Sequence, residues 1–402
     1  MKKTILIAYD LNPSLGSEAK KADLWLKQIS KYFMVDVFTA EKHSHDILGE
    51  NYENVCFNFI DIDGQLIEKL RRFQLYNLMY LIFIRKVKLI LMSKLRNKKY
   101  SAIHCITPAG IHSYNDLYKF NVPIIIGPLG GGLKTPQGFN KIFKSDHGRE
   151  SIRSLFYFLI KKNPNWKKYF LNSKKVIVGT KYVLSNLPRG CVDKTVVIFD
   201  TVAEPDIFLP RKKHNDKITV LFSGRLEPNK GCQILLDAFK NAVANNLLKK
   251  SVELIFAGSG SMLNSMKKQV SNYGLSDRVH ILGQIDSKKM PSLIADSDIY
   301  CLPTLREPGG KSILEAMCCE LPVITTDYGG PSVSVTRDCG IKIKPVDYEN
   351  YIQALVDALI FLINNEAERT RMGKNGRRRV IEEFSPQALE GKIMAIYEEV
   401  TA

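Results

Sequence analysis

Two carboxylates, Glu307 and Glu315, flank a glycine turn in Arg306-Glu307-Pro308-Gly309-Gly310-Lys311-Ser312-Ile313-Leu314-Glu315-Ala316-Met317. Carboxylates are good acceptors for sugar hydroxyls. Ile299-Tyr300-Cys301-Leu302 before the turn reads as a strand, and the residues after it read as a helix. A strand, a glycine loop and a helix in that order aim free backbone N–H groups, here those of Gly310, Lys311 and Ser312, at an anion such as phosphate. A second segment, Ser223-Gly224-Arg225-Leu226-Glu227-Pro228-Asn229-Lys230-Gly231, also follows a strand. Its Arg225 and Lys230 flank the turn that opens the next helix. Two cations there neutralise a diphosphate, Arg bidentately; a solvated loop with ordinary charges explains them equally well. A third, Ala257-Gly258-Ser259-Gly260-Ser261, sits at another strand end, where Gly258 and Gly260 form either a binding loop or a simple tight turn.

The first half offers fewer chemical residues. Gly16-Ser17-Glu18 follows the first strand and opens a helix, with Ser17 placed to cap it and Glu18 in its first turn. His104 ends the strand Ile103-His104-Cys105-Ile106, where it is either a ligand contact or a satisfied structural residue. Gly127-Pro128-Leu129-Gly130-Gly131-Gly132 follows a further strand. Two motifs are set aside. Asp296-Ser297-Asp298 has a metal-binding D-x-D form but reads as a helix end. Gly310-Lys311-Ser312 imitates the close of a P-loop, yet the position that needs the first glycine is Leu305.

The elements that must position these residues alternate. Thirteen short apolar runs read as strands: Thr4–Tyr9, Val35–Thr39, Val55–Ile60, Ala102–Cys105, Val122–Gly127, Val176–Gly179, Thr195–Phe199, Thr219–Ser223, Glu253–Gly258, Val279–Leu282, Ile299–Leu302, Val323–Thr325 and Ile341–Ile343. Strands alternating with helices predict parallel sheets covered on both faces. The alternation restarts after the polar stretch from Glu204 to Asp216, so two doubly wound α/β domains are expected. Residues 1–205 form the first and 206–385 the second, with a last helix over 386–402 crossing back to the first. Such a pair leaves a cleft between strand ends, where ligands of these sheets bind.

At 402 residues the chain is too long for one ordinary core. Its eight cysteines form no C-x-x-C pair and fit a reducing cytoplasm. The apolar run at the N-terminus stops at Tyr9-Asp10, too soon for a signal peptide. No run is long enough to span a bilayer. The net charge of +17 is unevenly spread: residues 1–210 hold 32 Lys and Arg against 18 Asp and Glu, residues 211–402 hold 26 against 23. Either a nucleic acid or an anionic membrane surface fits that excess. Nucleic acid is set aside, because no nucleic-acid-binding signature is found. The stretch Lys69–Tyr100, and a second from Leu155 to Lys162 followed by Trp166-Lys167-Lys168-Tyr169-Phe170, mix apolar and aromatic residues with cations. They predict docking on an anionic leaflet, against the alternative of a core-facing helix with a charged outer face.

Taken together, the Arg225/Lys230 turn, the strand-end G-S-G, the E-x7-E loop-helix and Leu321-Pro322-Val323-Ile324-Thr325-Thr326-Asp327-Tyr328-Gly329-Gly330 resemble the donor domain of glycosyltransferase family 4, the retaining GT-B enzymes. The resemblance covers residues 218–345; it departs at Glu307-Pro308-Gly309-Gly310, where many members have E-G-F-G. It implies a GT-B fold and a bacterial enzyme of surface-polysaccharide type, for capsule or lipopolysaccharide. That enzyme moves a sugar from a nucleotide-diphosphate donor to a hydroxyl on a lipid-linked saccharide, with retention. By the same resemblance Arg225 and Lys230 hold the diphosphate, Glu315 the ribose and Glu307 the sugar. Gly16, Gly224, Gly258, Gly260, Gly309, Gly310, Lys311 and Ser312 complete the donor site, and His104 meets the sugar or acceptor. No metal or cofactor is expected, the co-substrate being a UDP-sugar in preference to a GDP-sugar. The expected place is cytoplasmic, peripheral on the inner face of the plasma membrane. The alternatives are a soluble transferase making a small cytoplasmic glycoside, an epimerase on the same fold, and a non-catalytic sugar-nucleotide-binding protein.

Overall fold

The structure is a computed structural model that describes residues 1–14, 17–62, 68, 70, 76–97, 99–139, 157–211, 217–248 and 251–402. It divides into two compact units. One comprises Met1–Gly132, Arg149–Asp200 and Leu389–Ala402; the other comprises Leu133–Gly148 and Thr201–Ala388.

The first unit holds a seven-stranded parallel sheet: β1 (Lys3–Ala8), β2 (Met34–Ala40), β3 (Val55–Ile60), β4 (Ala102–Thr107), β5 (Ile124–Leu129), β6 (Lys175–Val178) and β7 (Thr195–Val197). Their spatial order is β3-β2-β1-β4-β5-β6-β7. The second unit holds a six-stranded sheet of β8 (Ile218–Ser223), β9 (Val252–Ala257), β10 (Val279–Gly283), β11 (Ile299–Leu302), β12 (Val323–Thr326) and β13 (Gly340–Ile343). It is ordered β10-β9-β8-β11-β12-β13, so both units repeat one winding pattern. In each, the order reverses direction beside the first strand, β1 or β8. Such switch points leave a crevice at the carboxyl ends of the two central strands. All thirteen strands read from the sequence are present, with ends shifted by two residues at most. Burial on both faces makes the inner strands near-continuous apolar runs, which is why they stand out, while the edge strands β3, β7 and β10 are only part-buried.

The helices that matter below are α1 (Ser17–Ile29), α2 (Tyr76–Asn97), α3 (Pro164–Leu171), α4 (Cys232–Ala244), α5 (Leu263–Asn272), α6 (Lys311–Cys318), α7 (Tyr348–Asn364) and α8 (Glu366–Arg379). The last helix, α9 (Pro386–Thr401), joins the first unit from Leu389 onward. Its Tyr397 is buried against that unit, with the Phe33 ring 5.0 Å away.

One segment departs from the simple division by sequence. Leu133–Phe139 belongs to the second unit, although it follows β5 of the first. Two contacts hold it there. The Tyr328 hydroxyl accepts from the Lys134 N–H at 3.1 Å and donates to the Lys134 carbonyl at 3.0 Å. The Phe139 ring is fully buried, edge-on to Tyr351 at 5.4 Å and to Tyr348 at 6.2 Å, both on α7.

Candidate functional site

The two loops leaving β8 and β11 at the second switch point are stitched together. The Asn229 carbonyl accepts from the Leu305 N–H and from the Thr304 hydroxyl, each at 2.9 Å. Gly231 has φ +74°, and a Cβ there would strike the Pro303 carbonyl, so only glycine lets the two loops approach this closely. That approach brings Lys230 from one loop against Glu307 from the other.

Glu307 is the hub. Its Oε2 takes the Lys230 ammonium as an ion pair, and both side chains are largely buried. Its Oε1 accepts from the N–H groups of Gly309, at 3.1 Å, and Gly310, at 3.0 Å. An ammonium, two backbone N–H groups and the amino end of α6 therefore converge on one anionic group. This corrects one expectation. The Gly310 N–H is engaged by the Glu307 carboxylate of its own loop rather than standing free for a phosphate. Behind the loop, Gly330 N–H donates to the Glu307 carbonyl at 2.8 Å, and a Cβ on Gly329 would meet that same carbonyl. The glycine pair is thus a support for the loop.

Glu315 lies one turn into α6, with the Lys311 ammonium 3.8 Å from its Oε1. Burial pushes its carboxyl pKa upward; Lys311 offsets part of that, and the nearby Glu204 adds to the rise. The Ser312 hydroxyl turns inward to the buried Tyr300 hydroxyl, which donates to the Ser223 carbonyl at 3.0 Å. Ser312 therefore helps tie α6 to the end of β8. Arg225 is exposed, and among the described residues no hydrogen bond or ion pair holds its guanidinium.

Gly258 and Gly260 have a packing reason for their type. A Cβ on Gly258 would strike the Gly224 carbonyl, and one on Gly260 the Leu226 carbonyl. The Leu226 N–H donates to the Ser259 carbonyl at 2.9 Å. The Glu227 carboxylate completes the join, accepting from the Ser261 N–H at 3.0 Å and its hydroxyl at 2.6 Å. Neither Glu227 nor Asn229 stands out from the sequence. Both lie inside a motif that does, but their partners are too far along the chain to be read from spacing. Asp296 pairs with Arg211 at 3.1 Å, and Asp298 accepts from the Thr219 N–H at 2.8 Å. The D-x-D is a pair of structural carboxylates.

In the first unit, Gly16 lies outside the described residues. Glu18 Oε1 accepts from the Ala109 N–H at 2.5 Å, joining the start of α1 to the end of β4. His104 must be corrected. It is fully buried, its Nε2–H donates to the Gly127 carbonyl at 2.7 Å, and its Nδ1 accepts from the Tyr397 hydroxyl at 2.9 Å. The Trp25 ring closes it in at 5.5 Å. Burial lowers its pKa to about 4, although the Gly127 hydrogen bond opposes that, so the ring is neutral. Both nitrogens are used, and neither is left for a sugar or an acceptor.

Residues 204–379 match the family model described as glycosyl transferases group 1. Among curated relatives, the MMP alpha-(1->4)-mannosyltransferase of Mycolicibacterium hassiacum is 28% identical over 49% of this chain and 46% of its own length. A GDP-mannose-dependent monoacylated alpha-(1-6)-phosphatidylinositol monomannoside mannosyltransferase of Corynebacterium glutamicum is 27% identical over 64% of this chain and 70% of its own. The chain spans less than half the length of the first curated relatives it matches. Among solved structures, the sucrose-phosphate synthase of Thermosynechococcus elongatus has a TM-score of 0.69 at 20% identity, covering 100% of this chain and 99% of its own. HepE of Anabaena, in complex with UDP and glucose, has a TM-score of 0.65 at 16% identity, covering 99% and 100%. The stitched loops that carry Lys230, Glu307 and Glu315 lie within the matched segment, so this chain has the two-sheet GT-B fold and, over residues 204–379, the sequence pattern of glycosyl transferases group 1.

Proposed function

We propose that the protein is a retaining hexosyltransferase that needs no metal. It moves a sugar from a nucleotide-diphosphate donor to a hydroxyl of a lipid-linked saccharide in cell-surface polysaccharide synthesis. One observation carries the reading: Lys230, Glu307 and the amino end of α6 converge at the carboxyl edge of the second sheet. A donor at that edge that loses its sugar leaves a diphosphate, whose charge grows as the glycosidic bond breaks. Preorganised cations and N–H dipoles stabilise such charge more in the transition state than in the ground state. Lys230 is the fixed cation of the seat, and the exposed Arg225 is a second cation on the same loop. Glu307 is held by two N–H groups and the Lys230 ammonium, which leaves one of the roughly four acceptor sites of a carboxylate for a sugar hydroxyl. Glu315 faces the ribose, whose hydroxyls its carboxyl can hydrogen-bond.

A UDP-sugar is the favoured donor, in keeping with the UDP held by HepE. The GDP-mannose named for the Corynebacterium relative supports a GDP-sugar as the second reading. That relative's name also contains a phosphatidylinositol acceptor, which favours a lipid-linked acceptor and a site of action at the inner face of the plasma membrane.

The test has two arms on the purified chain. A panel of nucleotide sugars is screened by thermal shift, since a ligand that binds only the folded form raises its melting temperature. Donor turnover is then compared with Lys230→Ala. The variant should keep its fold and lose about 100-fold or more in kcat, the usual effect of removing one preorganised charge donor. Unchanged turnover in Lys230→Ala removes the diphosphate assignment. Binding without turnover or hydrolysis in the wild type identifies a non-catalytic sugar-nucleotide protein.

A further inference from the structure

Helix α2 is apolar on both sides. Its inner face carries Met79, Tyr80, Phe83, Val87 and Leu91 into the core of the first unit. Its opposite face is exposed, yet it carries Leu78 (46% exposed), Leu81 (39%), Leu89 (69%) and Met92 (50%). A helix that is apolar all round is ordinarily covered on every side. Single exposed leucines need no explanation, but a continuous row marks an interaction surface. With Arg85 and Arg96, the four apolar residues step by three or four positions along one stripe, which from Leu78 to Arg96 runs about 27 Å.

The charges on this helix discriminate between occupants. It carries Arg85, Lys86, Lys88, Lys94 and Arg96 and no acidic residue. The flanking cations are already matched: Lys88 pairs with Asp116 at 2.7 Å and Lys94 with Asp36 at 3.0 Å. Arg85 and Arg96, on the exposed stripe, have no such partner among the described residues, and the Lys86 ammonium meets only the Asp61 carbonyl at 2.6 Å. The uncompensated charge therefore lies on the same face as the exposed leucines. A second exposed apolar pair lies over the same side of the sheet. Phe158 (55%) and Leu159 (57%) point outward, while their neighbours Tyr157 and Ile160 pack on the same core as α2. The Lys162 ammonium sits 4.5 Å from the Phe158 ring centroid.

We propose that the outer face of α2, with Phe158 and Leu159, docks the first unit on an anionic lipid bilayer. The inference rests on the membrane part of the function proposed above and assigns its surface. Leu78, Leu81, Leu89 and Met92 enter the headgroup–acyl boundary; Arg85, within the row, reaches up to lipid phosphate on its aliphatic stem, and Lys86 beside the row and Arg96 at its end meet phosphates directly. An apolar row interspersed with cations that no carboxylate neutralises is what an interfacial helix presents to anionic lipid. A protein partner would have to bring a matching acidic surface. A second copy of this chain would set the same cations against each other.

The test is co-sedimentation of the full chain with vesicles of equimolar phosphatidylcholine and phosphatidylglycerol, and with vesicles of phosphatidylcholine alone. The wild type should partition to the anionic vesicles and be released by salt. Leu89→Glu with Met92→Glu should weaken that partition by about tenfold or more, from the loss of two buried apolar side chains. Arg85→Glu with Arg96→Glu should weaken it similarly and flatten the salt dependence, each cation at an anionic surface being worth about fivefold. These exposed substitutions should leave the thermal shift by nucleotide sugar unchanged. Wild-type binding to neither vesicle, or equal binding by the variants, overturns the proposal. So does a wild-type oligomer that Leu89→Glu dissociates, since a second copy then covers the row. Vesicle binding that depends on this face, without donor turnover, would keep the surface and reject the transferase. Turnover on donor without vesicle binding would do the reverse.

Discussion

Lys230 and Glu307 are far apart in the chain, and their meeting could not be read from either motif alone. Each was legible by type: a cation on a glycine turn and a carboxylate before a helix. What the sequence hid was the third party. Glu307 binds the N–H groups of its own loop, so the helix end and the lysine act on one carboxylate. His104 departs from expectation for a related reason. His104 was expected at a strand end, where a histidine is a good ligand, but it is the third residue of the six-residue β4, and the packing of Trp25 and Tyr397 encloses it. Its depressed pKa makes a testable statement. The unfolded chain takes up a proton near pH 6.5, whereas the folded chain resists until about pH 4. Between those values the unfolded state binds more protons, so the contribution of His104 to stability falls as pH falls through that window and is level below it. Chemical denaturation of the wild type and His104→Gln from pH 7 to pH 4 measures this. The wild type should lose its advantage over the variant as pH falls, and a difference that stays constant would mean that His104 is not held neutral.

The inner strands were legible because parallel strands buried on both faces must be apolar throughout, and the part-buried edge strands β3, β7 and β10 because they repeat the alternation with helices. The loops were legible only as glycine-rich, since the reason for each glycine lies in a neighbour far along the chain. Gly258 illustrates this. It has φ +146°, and its missing Cβ makes room for the Gly224 carbonyl on the next loop. The G-S-G motif is therefore required by the packing of two loops, whether or not a ligand also approaches it. Gly258→Ala should destabilise the second unit by about 2 kcal/mol or more, from the strained φ and the forced separation. A melting curve without ligand detects this. An unchanged melting temperature would show that the loops tolerate separation, leaving ligand approach as the reason for the glycine.

Across the whole molecule, the two-domain plan followed from length and from the restart of alternation after Glu204. The charge asymmetry pointed to the first half, and the structure places two of its unpaired cations, Arg85 and Arg96, on the outer face of α2. Composition could not show which cations are already matched, because that depends on carboxylates such as Asp116 and Asp36 brought near by folding. Among the described residues no helix is long and apolar enough to cross a membrane. The segment 133–139 was also beyond reach of the sequence. Nothing in Leu133-Lys134-Thr135-Pro136-Gln137-Gly138-Phe139 announces that its partners are Tyr328, Tyr348 and Tyr351.

That loan of seven residues decides how the protein can be cut apart. A fragment spanning 201–388 retains every strand of the second sheet but leaves the seat of Phe139 on α7 bare. Losing a buried phenylalanine costs about 3–5 kcal/mol. Such a piece should melt well below the intact chain, and a peptide of residues 133–139 supplied in trans should restore part of the difference. Phe139→Ala in the full-length protein should reproduce the loss. If the excised half proves as heat-resistant as the parent, the borrowed stretch is dispensable.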